Sequence, residues 1–113
     1  MSAEILTSCT REIVTQLVQG NYDELVKRCK QSRLSSEDLR RVVEDYGRRL
    51  ILPPDDAYDN LDVVEIKGAT SPSWSVRAPL WTGEEGRSDL TLELTIAIGS
   101  GRPNIELDDL HVL

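Results

Sequence analysis

Between Asp89 and Ile98 the chain reads DLTLELTIAI, with Leu90, Leu92, Leu94, Ile96 and Ile98 at alternate positions and Thr91, Glu93, Thr95 and Ala97 between them. Side chains alternate across a pleated backbone, so this pattern predicts a strand with one buried face. A 3.6-residue period would spread the same aliphatics around a helix and place Glu93 among them. Before Gly47 the period is different. Leu6, Cys9, Ile13 and Leu17 recur at three- and four-residue steps, with Ile5, Val14 and Val18 widening the stripe, which predicts a helix over residues 3–19. Gly20 suits a left-handed stop, and Asn21 a cap for a short second helix over residues 22–31 with Leu25, Val26 and Cys29 on its buried edge. SSED at Ser35–Asp38 is a capping signal for a third helix, with Leu39, Val42, Val43 and Tyr46 on one side and Gly47 at its end.

Pro53 and Pro54 forbid helix continuation, and the acidic DDAYDN leads into strands. LDVVEIK is the first, WSVRAPLWT the second, the Asp89–Ile98 stretch the third and NIELDDLHVL the last. A hairpin closed by GEEGRS sets Leu80 opposite Leu90, Ala78 opposite Leu92, Val76 opposite Leu94 and Trp74 opposite Ile96, so that each apolar residue meets another. The reverse face then pairs Arg77 with Glu93, Ser75 with Thr95 and Pro79 with Thr91. Pro79 cannot donate to a ladder and calls for an unpaired or bulged position. In the last strand Ile105 and Leu107 face inward at odd positions but Leu110 and Val112 at even ones, so a β-bulge is expected at Asp108 and Asp109. It would place Asp108 beside Glu93 and near Arg77, with His111 further along the same face. The expectation is one α+β domain over 1–113, with three helices within 3–47 packed on one face of a four-stranded antiparallel meander over 61–113.

The formal net charge is −7, from 20 acidic and 13 basic residues, which argues against nucleic acid and permits a basic partner. Arg40, Arg41, Arg48 and Arg49 are the one basic cluster, and Glu37, Asp38, Glu44 and Asp45 at helical spacing pair with them. Cys9 and Cys29 fall on apolar helix seams and read as reduced core thiols. No secretory pattern opens the sequence and no apolar run approaches the roughly 20 residues of a membrane helix. A cytoplasmic protein without membrane contact is expected.

Helices followed by an antiparallel meander resemble the cystatin-like and NTF2-like group, and LVQGNYDELVKRC resembles the helix, turn, helix opening common there. More narrowly, DLRRVVEDYGRRL, PLWTGEEGRSDLTLELTI and IELDDLHVL resemble a small family of uncharacterised bacterial proteins. The first resemblance implies helices covering one face of a curved sheet. It also implies either a small-molecule or acid/base site in a pocket or a purely binding role, including that of immunity proteins that neutralise toxins.

The chemistry-bearing residues favour binding over catalysis. No phosphate-cradling loop, dinucleotide fingerprint or nucleophile elbow occurs, and no cofactor is expected. The sole histidine, His111, with Asp108 or Asp109 could form an acid/base pair, but at a fraying C-terminus. Metal binding is not expected, because there is no second histidine, and Asp55, Asp56 and Asp59 lack the glycine turn and terminal glutamate of a calcium loop. Trp81, Glu84, Glu85 and Arg87 at the hairpin tip resemble the anchor and rim of an interface, to which Arg77, Glu93 and Asp108 are added. The expectation is a non-catalytic acidic binding module, an immunity or antitoxin type inhibitor covering a basic site of a partner. The alternative is a pocket between sheet and helices lined by Tyr46, Tyr58, Trp74, Asp109 and His111. A second copy of the chain is the other expected partner, burying Trp81, Thr95 and Ala97 on the uncovered sheet face.

Overall fold

The structure, a computed structural model, describes the backbone of residues 2–113 and the side chains of residues 3–113. Three α-helices come first, α1 (Ser2–Gln19), α2 (Tyr22–Arg28) and α3 (Ser36–Tyr46), with a short strand β1 (Gln31–Ser32) before α3. A second short strand β2 (Leu50–Ile51) and a 3-10 helix (Asp55–Asn60) lead to β3 (Asp62–Glu65), β4 (Ser73–Thr82), β5 (Gly86–Ala97) and β6 (Asn104–Val112). Gly20 and Gly47 both adopt the left-handed conformation that stops α1 and α3. The capping box of α3 is formed: the Asp38 N–H donates to Ser35 Oγ at 3.1 Å and the Ser35 N–H to Asp38 Oδ2 at 3.0 Å.

Helix α2 is shorter than its periodicity predicts, and the cause is tertiary. The Lys30 N–H donates to the Ile105 carbonyl at 2.7 Å and the Arg33 N–H to that of Leu107 at 2.9 Å, so the chain after Cys29 becomes β1 along β6. Asn21 precedes α2 without a side-chain capping bond, and its amide turns instead to Gln19 at 3.2 Å.

The sheet has six strands, not four. Its order is β1-β6-β5-β4-β2, with β3 also paired to β4, and β1 runs parallel to β6. The four predicted strands correspond to β3–β6. The two extra ones are two residues long each, too short to show any alternation. β2 and β3 share one edge of β4, pairing at Trp81–Thr82 and at Trp74–Arg77, and the 3-10 helix between them leaves residues 78–80 unpaired on that side. Pro79 sits in this gap.

Between β4 and β5 the expected register holds from Ser73↔Ala97 to Pro79↔Thr91, then shifts so that Trp81 faces Arg87 and Thr82 faces Gly86. Leu80 and Leu90 are consequently not ladder partners, although both are fully buried. Between β5 and β6 the predicted bulge is present. Glu93 pairs with Asp109 and Leu94 with Leu107, which leaves Asp108 as the extra residue. In β3, Val63 pairs with the buried Val76 and Val64 with Ser75, and both β3 valines are exposed, Val64 at 58 %.

The even-numbered leucines of β5 meet Val76, Ala78 and Leu80 of β4, Ile105, Leu107 and Leu110 of β6, and Ile13, Val14, Leu17, Leu25 and Leu39 of the helices in one core. α1 lies against β4 and β5, and α3 against β6. Each fully buried Leu or Ile contributes about 1.5–3 kcal/mol from removal of apolar surface from water. Cys9 and Cys29 are unpaired and buried, and burial pushes the Cys29 thiol up to about 11, so it stays protonated near neutrality. Among the described residues no helix is long and apolar enough to cross a membrane.

Candidate functional site

The acidic residues singled out in the sequence separate into two clusters. At the β4–β5 hairpin the tip folds back onto the segment after α3. The Gly83 N–H donates to the Arg49 carbonyl at 2.9 Å, and the Arg49 guanidinium lies so close over Gly83 that a Cβ there would be 2.6 Å from Nη2. Glu84 accepts the Arg49 N–H at 3.0 Å. That bond, with one from its own N–H and the charges of Arg48 and Arg49, holds its carboxyl below the usual glutamate range. Glu85 accepts from the Tyr46 hydroxyl at 2.9 and 3.0 Å and from Thr82 Oγ1 at 3.0 Å. Both carboxylates are therefore engaged by donors of the same chain, which clasp the tip to the segment after α3, while both glutamates stay exposed. Trp81 and the exposed Arg87 lie apart from them, lining with Pro79, Asp56, Ala57 and Asn60 a cleft of about 150 Å³.

The second cluster lies on the sheet face opposite the helices. Arg77 Nε is 3.8 Å from Glu93 Oε2, too far for a hydrogen bond, and the Arg77 side chain is half exposed. Such a pair contributes little. Asp108 does not join it, contrary to expectation: its Oδ2 accepts from Thr95 Oγ1 at 2.6 Å. Asp109 is the carboxylate opposite Glu93, because Asp108 is the bulged residue. His111 Nε2 hydrogen-bonds Glu93 Oε2 and stands 3.8 Å from Asp109 Oδ2. The Glu93 hydrogen bond, outweighing the opposing effect of burial and aided by the Asp109 and Glu93 charges, raises the imidazole above its ordinary value.

The Glu93–His111 contact was not anticipated. It is a diagonal cross-strand pair, since Thr91 faces His111 and Glu93 faces Asp109. The phase slip contained the signal, and choosing Asp108 as the bulged residue would have revealed it. A second unanticipated cluster joins the helices to the β5–β6 turn. Glu12 Oε2 accepts from Arg28 Nε at 2.6 Å and from Arg102 Nη2 at 3.3 Å, beside a groove of about 370 Å³ that Ile5, Cys9 and Pro103 also line. Its two arginines are balanced by Glu4 and Glu12, so it carries no net charge for a ligand.

The residues of the alternative pocket do not converge as a set. Tyr58 is buried, with the Arg11 guanidinium 4.3 Å from its ring centroid, and the half-buried Trp74 packs against the core. Tyr46 and His111 do share a groove of about 400 Å³ between α3 and β6, with Val42, Asp45, Leu110 and Val112.

Residues 14–113 match a family described as a domain of unknown function, DUF7668, and the chain belongs to it. No curated protein matches the chain. No solved structure matches it either.

Proposed function

We propose that this DUF7668 member is a non-catalytic acidic binding protein that uses the sheet face opposite its helices, around Glu93, Glu106, Asp108 and Asp109, to cover a basic site on a partner protein. The carrying observation is the charge of the sheet face: among the described residues Glu93, Asp108 and Asp109 are partnered there by Thr95, His111, the Leu110 N–H at 2.8 Å and a distant Arg77, which leaves a single half-exposed arginine against these carboxylates and Glu106. The net charge of −7 supports the sign of the partner. An immunity or antitoxin role fits an acidic face of this kind.

The test is affinity capture from the native host, followed by binding measurements with the purified captured partner. Glu106→Lys with Asp108→Lys is expected to weaken binding at least about tenfold, and wild-type binding is expected to weaken with added salt. If the double variant binds as the wild type does, or if Glu84→Gln at the hairpin causes the loss instead, the assignment of the face is wrong. Should sedimentation show a dimer that the same double variant dissociates, a second copy is the occupant.

The groove between α3 and β6 favours a second reading, as a small-ligand site with apolar walls from Val42, Leu110 and Val112 and polar groups from Tyr46, Asp45 and His111. A compound that raises the melting temperature of the wild type but not of Val42→Lys would support it. Equal protection of both proteins would remove it.

A further inference from the structure

Glu93 lies on β5, Asp109 and His111 on β6, and the β6 bulge decides where Asp109 points. With Ile105 and Leu107 facing the core, an unbroken strand would turn position 109 inward as well; the extra residue Asp108 reverses the phase and delivers Asp109 beside Glu93. One ligand atom from each of Glu93, Asp109 and His111 then lies within 4.8 Å of the other two, and all three side chains are partly shielded from water. Their backbones are held in the ladder between two of the longest strands, so the arrangement is set before any ion arrives.

We infer that Glu93, Asp109 and His111 form a site for a divalent first-row transition ion of the zinc type, with one nitrogen and two carboxylate ligands and a fourth position open to water or to a partner's side chain. The inference goes beyond the binding role proposed above. A tetrahedral zinc ion with bonds of about 2.0–2.2 Å holds its ligand atoms roughly 3.3 Å apart. The 3.8 Å between His111 Nε2 and Asp109 Oδ2 lies within about half an ångström of that spacing, and the closer His111–Glu93 pair opens by a side-chain rotation. The imidazole sets the class of ion: calcium and magnesium take oxygen ligands, whereas zinc and its neighbours accept a mixed nitrogen and oxygen set. Two carboxylates neutralise the ionic charge. Arg77, half exposed and without a hydrogen bond to Glu93, is free to swing towards solvent when the ion enters.

The test uses the full chain without an affinity tag, titrated with zinc and followed by calorimetry and by the ring NMR signals of the single histidine. One equivalent should bind, moving the His111 ring signals, and calcium or magnesium in excess should not displace it. Asp109→Asn and His111→Ala should each weaken zinc at least about tenfold, since even outer-shell partners of a metal site matter that much. Asp108→Asn, in the same bulge but directed at Thr95, should bind as the wild type does. No saturable binding overturns the inference, as does binding unchanged in both ligand variants, which would put the ion elsewhere, for instance at Cys9 or Cys29. Because no partner protein enters this experiment, and because the Glu106 and Asp108 reversals spare all three ligands, failure here leaves the proposed binding role standing.

Discussion

β5 is irregular against both of its neighbours, and the two irregularities are handled in opposite ways. On the β4 side three residues, Ser88, Asp89 and Leu90, occupy the space opposite Leu80 alone. On the β6 side one residue, Asp108, is extra. The first lies in the core, where no water can serve the interrupted ladder, and the Ser88 hydroxyl closes it by donating to the Leu80 carbonyl at 2.8 Å and accepting the Leu90 N–H at 3.2 Å. The second lies on the open face, where Asp108 bonds Thr95 and the displaced Asp109 is turned outward. A break inside the core has to be sealed by the chain itself. A break on the surface is free to aim side chains, and that is where the candidate site stands.

The comparison breaks most visibly at Ser88. Ser88→Ala removes both bonds and strands a buried carbonyl and N–H, which is expected to cost about 2 kcal/mol in denaturant unfolding. A loss below about 0.5 kcal/mol would mean that water reaches the seam, and the contrast between sealed and open irregularities would fail. The hairpin beyond the seam is clasped by Glu85, and Tyr46→Phe deletes the hydroxyl that donates to both of its oxygens. About 1 kcal/mol is expected, because Thr82 continues to hold the carboxylate. Stability unchanged by Tyr46→Phe would show that Glu85 does not clasp the tip to α3.

The same pair of irregularities explains what was legible in the sequence. An insertion of one residue reverses which face each later side chain occupies, so Ile105 and Leu107 at odd positions and Leu110 at an even one announced the Asp108 bulge. An insertion of two restores the phase. Ser88 and Leu90 both point inward, as an unbroken strand would place them, and nothing in the alternation reveals that Arg87 and Gly86 have moved along β4. Helices α1 and α3, their glycine stops and the Ser35 cap were readable because local residues determine them. β1 and β2 were not, since two residues carry no period and their pairing depends on β6 and β4. Of the candidate site, Glu93, Asp109 and His111 were each noticed, but their meeting depended on the bulged position being Asp108.

A smaller effect is expected at Asp108 itself. Asp108→Ala removes one hydrogen bond that water can replace, so a loss of about 0.5 kcal/mol is expected, well below that at Ser88. If the two losses are equal, the outer bulge is as dependent on its side chain as the inner one is. Asp108→Asn keeps an acceptor for Thr95 and should restore the difference.

The smallest effect is one of acidity, and it separates the hairpin clasp from the sealed seam. Glu84 has a folded-state pKa below its ordinary value of 4.5, chiefly because the Arg49 N–H bonds the charged carboxylate. A depressed carboxyl contributes stability that is fully present above the unfolded value and is lost as pH falls through the folded one. The stability difference between wild type and Glu84→Gln should therefore be greatest near neutrality and shrink on acidification, with the carboxyl carbon of Glu84 titrating at lower pH than in an unfolded peptide. Asp38, lowered by the Ser35 cap, acts over a similar range but is present in both proteins and cancels in the difference. A difference that stays constant with pH, or a Glu84 that titrates at its ordinary value, would mean that the Arg49 bond is not formed in solution. Ser88 carries no titratable group, so its contribution should persist through the same acid range, and of the seam and the clasp it is the clasp that should loosen.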